Sequence, residues 1–168
     1  MNRYIPSTAL LAWLVLAMTA PAQPGQNNAE RRRGLLSARH AFHEALAAAT
    51  SPADLAQAVH AAIGPSELME FARFDAGEVL RKGGDGRGPE ILRFIVGNPL
   101  IMREMAETVP DAASYAPVTI LVDERADGVH LSYDSMASLL SPYGSEAALA
   151  VARDLDAKIH SLLETAAR

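Results

Sequence analysis

The chain has 168 residues, with 15 Lys and Arg against 20 Asp and Glu, and no cysteine. A formal charge of −5 gives a polyanion such as nucleic acid no general electrostatic support, and the lack of thiols excludes disulfides and an N-terminal lipidated cysteine. The length fits one domain whose core can form without disulfides.

Arg3, the apolar run Ala9 to Met18 and the sequence Ala20-Pro21-Ala22 have the order of a cleavable secretory leader. An apolar run of that length makes about 15 Å of helix against a bilayer core of about 30 Å, so no membrane anchor is expected after cleavage at Ala22. The expected product is periplasmic. Residues 1–22 form the signal peptide, residues 23–34 a flexible tether, and residues 35–168 a single domain. Arg31-Arg32-Arg33 closes the tether as a solvated basic tail, with contact to an anionic surface as the alternative.

Leu35 to Ala49 is compatible with two states. Its alanines favour helix, whereas His40, Phe42, Glu44 and Leu46 would share one face of a strand. Ser51 as cap and Pro52 in the first turn predict a helix to Ile63, with Leu55, Val59 and Ala62 on its buried stripe. Gly64-Pro65 ends it. A strand from Leu68 to Phe74 follows, with Leu68, Glu70, Ala72 and Phe74 alternating against Met69, Phe71 and Arg73. A short helix from Ala76 to Lys82 leads into Gly83-Gly84-Asp85-Gly86-Arg87-Gly88-Pro89. That loop lacks both G-x-G-x-x-G and the Lys-Ser/Thr ending of a P-loop, so it is a surface connection rather than a phosphate cradle.

Glu90 to Val96 is a strand, Gly97-Asn98-Pro99 a turn, and a helix runs from about Leu100 to Val109, where Pro110 stops it. Gly97 is expected to supply a positive φ, Asn98 to cap the helix and Pro99 to fit its first turn. Val118 to Asp123 and Val129 to Tyr133 form an antiparallel hairpin through Asp127-Gly128, with Val118, Ile120 and Val122 facing Val129, Leu131 and Tyr133. From Ser145 to about Ala166 a last helix places Ala148, Ala152, Leu155, Ile159 and Leu162 on one stripe, with Asp154 and Lys158 on the wet side. The fold class is therefore α+β, a mainly antiparallel sheet with helices packed on one face.

Four strings are familiar as a set: Arg93-Phe94-Ile95-Val96-Gly97-Asn98-Pro99, Tyr115-Ala116-Pro117-Val118-Thr119-Ile120-Leu121-Val122, Ser132-Tyr133-Asp134, and Val151-Ala152-Arg153-Asp154-Leu155-Asp156. From about Met69 to the end, the chain resembles the domain-of-unknown-function family 302, DUF302. The resemblance implies a compact α+β fold of the TATA-box-binding-protein type, a homodimer, and a strand before Ser51. It implies no settled activity, and the cofactor is unknown. Where the family carries Asp-His-Gly, this chain has Asp75-Ala76-Gly77.

Gly97, Asn98, Tyr115, Tyr133 and Asp134 are the candidate ligand-binding residues. The free N–H groups at the start of the Asn98 helix suit an anion, aided by Arg93 and Arg103 if they point there, while plain capping by Asn98 is the structural alternative. Asp134 either reaches a cleft mouth or caps a short helix from Met136 to Leu140. Tyr115 and Tyr143 are either aromatic walls or loop staples. Met69, Met102, Met105 and Met136 line a pocket or fill the core.

Asp75, His130 and Asp134 are the candidate acid–base groups. His130 shares a strand face with Ser132 and Asp134, but neighbours two apart stand about 7 Å apart and make no triad by themselves. His40 and His43 converge only on a helix, His60 and His160 are solvated, and no metal site is expected. The leading reading is a periplasmic homodimer that binds a small apolar or weakly anionic ligand between the sheet and the Asn98 helix. An enzyme using Asp75, His130 or Asp134 and a protein-interaction module are the alternatives.

Overall fold

A computed structural model describes residues 40–167; the expected leader and tether lie outside the described residues. The described chain runs α1 (40–48), α2 (Pro52–Ala62), β1 (Met69–Asp75), α3 (Ala76–Gly83), β2 (Ile91–Gly97), α4 (Pro99–Ala106), α5 (Ala112–Tyr115), β3 (Val118–Arg125), β4 (Gly128–Tyr133), α6 (Met136–Leu140) and α7 (Glu146–Ala166). None of these helices is long and apolar enough to cross a membrane.

The strands form one open sheet in chain order, each antiparallel to the next, so the fold is α+β with the expected antiparallel sheet. Phe94 and Val96 of β2 and Val118, Ile120 and Val122 of β3 share the inner face and are buried there. Against them lies the predicted stripe of α7, with Ala148, Ala152, Leu155, Ile159 and Leu162 all buried. The hairpin also has its expected facing, since Ile120 pairs with Tyr133 and Val122 with Leu131 across a turn in which Gly128 has φ 136°. Ala72, Phe74, Ile95, Thr119, Leu121 and Ser132 occupy the opposite face and stay partly or fully exposed.

Three expectations are corrected. In β1 the register shifts between Glu70 and Ala72, so strict alternation fails: a bulge places Glu70, Arg73 and Asp75 opposite Val96, Phe94 and Leu92. The Arg73 guanidinium then covers the Phe94 ring at 4.7 Å and bonds to Glu70 at 2.7 Å, which keeps two charged side chains on an apolar face. The strand implied before Ser51 is instead helical over residues 40–48. A strand would have needed alternate burial at Phe42, Glu44 and Leu46, but only Phe42 is buried. The helix expected to reach Val109 ends at Ala106, and a further turn, α5, intervenes before β3.

Phe42 belongs to a second, smaller core. It packs with Val59 of α2 and Met69 of β1, and Leu55, Ala62, Phe71 and Leu100 close around them. This places α1 and α2 at the end of the sheet where β2 turns into α4.

Candidate binding site

That turn is built by three residues acting differently. Pro99 occupies the first turn of α4, where it leaves no N–H unpaired. Asn98 caps: its Oδ1 accepts from Leu100 N at 2.9 Å, while its Nδ2 donates to the Glu67 carbonyl at 2.9 Å. Gly97 corrects the expectation, because it does not take a positive φ. A side chain there would put Cβ at 3.2 Å from Pro117 Cβ and 3.3 Å from Pro117 Cα, so glycine serves close approach between the corner and the Ala116-Pro117 loop.

Beside this contact lies an apolar pocket of about 190 Å³. Phe42, His43 and Leu46 of α1 form one wall and Phe71 of β1 another. Gly97, Asn98, Pro99, Ile101 and Met102 supply the corner side, and Pro117, Val118 and Leu155 close the rest. A larger, open groove of about 760 Å³ runs between the turn before β1 and α7. Asp154, Ser161 and Thr165 line it, and an ion pair of Glu67 with Lys158 joins its two sides. Its openness and the charged and hydroxyl side chains along it suit water better than an enclosed guest.

Of the sequence candidates, Gly97, Asn98 and Met102 line the apolar pocket, and the others lie elsewhere. Tyr115 and Tyr143 staple two loops: their hydroxyls are 3.0 Å apart and their rings meet edge to face at 6.4 Å. That hydrogen bond, with a smaller contribution from burial, pushes the Tyr143 phenol up to about 12. Tyr133 donates to Asp156 Oδ1 at 2.5 Å. Burial first, and then the Asp156 carboxylate, raises the Tyr133 pKa and keeps its proton on. Asp134 does not cap α6; Ser135 does, with its Oγ accepting from Ser138 N.

The acid–base candidates do not converge. Asp75 caps α3 through Glu78 N at 2.7 Å and pairs with Arg81. His130 Nε2 lies 2.9 Å from Asp127 Oδ1. The strands carrying Asp75 and His130 are opposite edges of the sheet, three spacings of about 4.8 Å apart. Arg93 donates to Thr119 Oγ1 at 3.1 Å and Arg103 pairs with Glu107 at 3.3 Å, so neither is committed to the start of α4. Among the described residues, no group of three His, Asp or Glu side chains stands together to hold a metal ion.

The family model for DUF302, "Domain of unknown function DUF302", matches residues 44–166. The chain belongs to the DUF302 family. A crystal structure of an uncharacterized conserved DUF302 protein from Bacillus stearothermophilus is similar in fold, with a TM-score of 0.54 at 14% identity over 79% of this chain and 91% of that one. No curated protein matches the chain. Within this DUF302 domain, distant strings meet. Asp156 accepts from Tyr133 and Ser135 hydroxyls at 2.5 and 2.6 Å and from Met136 and Ala137 N at 2.8 and 3.1 Å. Burial alone would raise its pKa, but these bonds outweigh burial and hold the carboxyl below its ordinary value.

Sequence reasoning missed Phe42, His43, Leu46, Phe71, Pro117 and Leu155 as pocket residues. Pro117 was within reach, because its string had been set beside Gly97-Asn98-Pro99. The α1 residues were not, since their state had to be known before their direction.

Proposed function

We propose that this DUF302 protein is a binding module of the cell envelope that takes a small apolar molecule into the pocket beside Asn98 and works as a homodimer. The apolar enclosure at the family-marked corner carries the reading. At about 190 Å³ it is smaller than the roughly 300–1,000 Å³ of drug-sized sites, which selects a guest of one ring or a short chain. Enclosing about 150 Å² of guest surface at about 25 cal/mol per Å² is worth about 4 kcal/mol, in the millimolar range. An anionic guest has less support, since Arg93 and Arg103 bond elsewhere and a charge is costly to place among apolar walls.

The leader-like residues 1–22 support the periplasmic setting. The half-exposed sheet face with Phe74, Ile95 and Leu121 supports association with a second copy. Native mass spectrometry of protein taken from the periplasm, with thermal shifts against millimolar neutral metabolites, tests the whole reading. The expected result is a dimer starting after Ala22 whose melting temperature rises with at least one small apolar compound. A bare monomer that begins at Met1 and shifts with none would overturn it.

A further inference from the structure

We infer that the guest is a neutral single-ring molecule bearing one hydroxyl group, with the ring held among Phe42, Phe71, Met102 and Pro117 and the hydroxyl bonded to the His43 imidazole. This rests on the binding reading above and specifies its ligand class.

Size comes first. A dry apolar cavity of about 150 Å³ holds benzene, so about 190 Å³ holds one six-membered ring with a small substituent and not two fused rings. The walls favour a flat, polarizable body over a chain. Phe42 and Phe71 meet edge to face with centroids 6.3 Å apart, presenting ring surface to the space beside Gly97, and Met102 adds a thioether that contacts aromatic edges favourably. A rigid ring also loses fewer rotatable bonds on entry than an alkyl chain of equal volume.

Polarity then decides the substituent. His43 and Asn98 contribute the two polar side chains of the lining. Asn98 is used on both sides, its oxygen by Leu100 N and its nitrogen by the Glu67 carbonyl. His43 has a ring contact to Phe42 at 6.0 Å and no hydrogen bond to another described residue, so its imidazole is the polar group left for a guest. Because His43 is exposed, the bond forms at the mouth while the ring lies inside. A neutral hydroxyl can either donate to or accept from imidazole, whereas a carboxylate would bring a charge to an apolar opening.

Calorimetric titration of the purified protein and of His43→Ala with p-cresol and with toluene separates the inference from the reading beneath it. The expected result is that both compounds bind and that the substitution weakens p-cresol about fivefold more than it weakens toluene, a difference the size of one modest hydrogen bond. His43 is exposed, and matching melting curves of the two unliganded proteins check that the variant is folded. If toluene binds and the substitution weakens the two compounds to the same extent, the hydroxyl assignment is overturned and the apolar pocket stands. If neither compound binds either protein, the binding reading fails and the inference with it.

Discussion

Asp156 joins three elements of the fold through one carboxylate. Each of its two oxygens accepts two bonds, and together they tie the end of β4 and the start of α6 to the middle of α7. Asp156→Ala would leave four donors without their acceptor, at a cost of about 3 kcal/mol, while Tyr133→Phe removes one of the four and costs about 1–2 kcal/mol. Urea unfolding at neutral pH measures both. The pH dependence has a definite sign: the folded pKa lies below the unfolded value of about 3.9, so the stabilisation is complete above that value and is lost as pH falls through the folded one. Asp156→Asn should therefore lower stability near pH 7 and flatten its fall below about pH 5. Spacing made Asp134 conspicuous and left Asp156 unremarked, because a strand end is visible locally. A bond between residues 133 and 156 depends on the path of the intervening chain.

Elements show the same division between local and distant causes. The β3–β4 hairpin was fully legible, since alternating valines and isoleucines and an Asp-Gly turn each state their own geometry. β1 was legible as a strand but not in its facing, because a bulge leaves no mark in composition. α1 was illegible: alanine propensity and two-residue alternation disagreed there, and burial of Phe42 alone resolved the matter. Glycines separate two kinds of contact. A Cβ on Gly77 would lie 2.7 Å from the Pro89 carbonyl oxygen and 2.8 Å from Ile91 N, both backbone atoms that cannot swing aside. Gly77→Ala is expected to destabilise the protein by about 2 kcal/mol even though alanine is the better helix former by about 1 kcal/mol. Gly97→Ala meets Pro117 at 3.2 Å and should cost less, about 1 kcal/mol, while narrowing the pocket. Denaturant midpoints of the two variants should therefore fall in the order wild type, Gly97→Ala, Gly77→Ala.

At the scale of the whole molecule, stability is unevenly distributed. The main core joins three strands to α7, whereas α1 contributes one buried side chain, Phe42, among its described residues. Burial of a phenylalanine is worth about 2–3 kcal/mol, far less than the global stability of a domain of this size. Amide hydrogen exchange should find residues 40–48 opening well below the free energy that governs β2 and β3, and should find that difference reduced when a guest fills the pocket. Equal protection of α1 and the central strands would contradict this. The same side chain has a kinetic consequence. A helix held by about 2–3 kcal/mol is lifted in roughly one molecule in a hundred, and in that fraction the pocket lacks the wall that α1 supplies. Phe42 thereby links the wall of the pocket to the local stability of α1, so a smaller residue there is expected to shorten the time a guest stays bound.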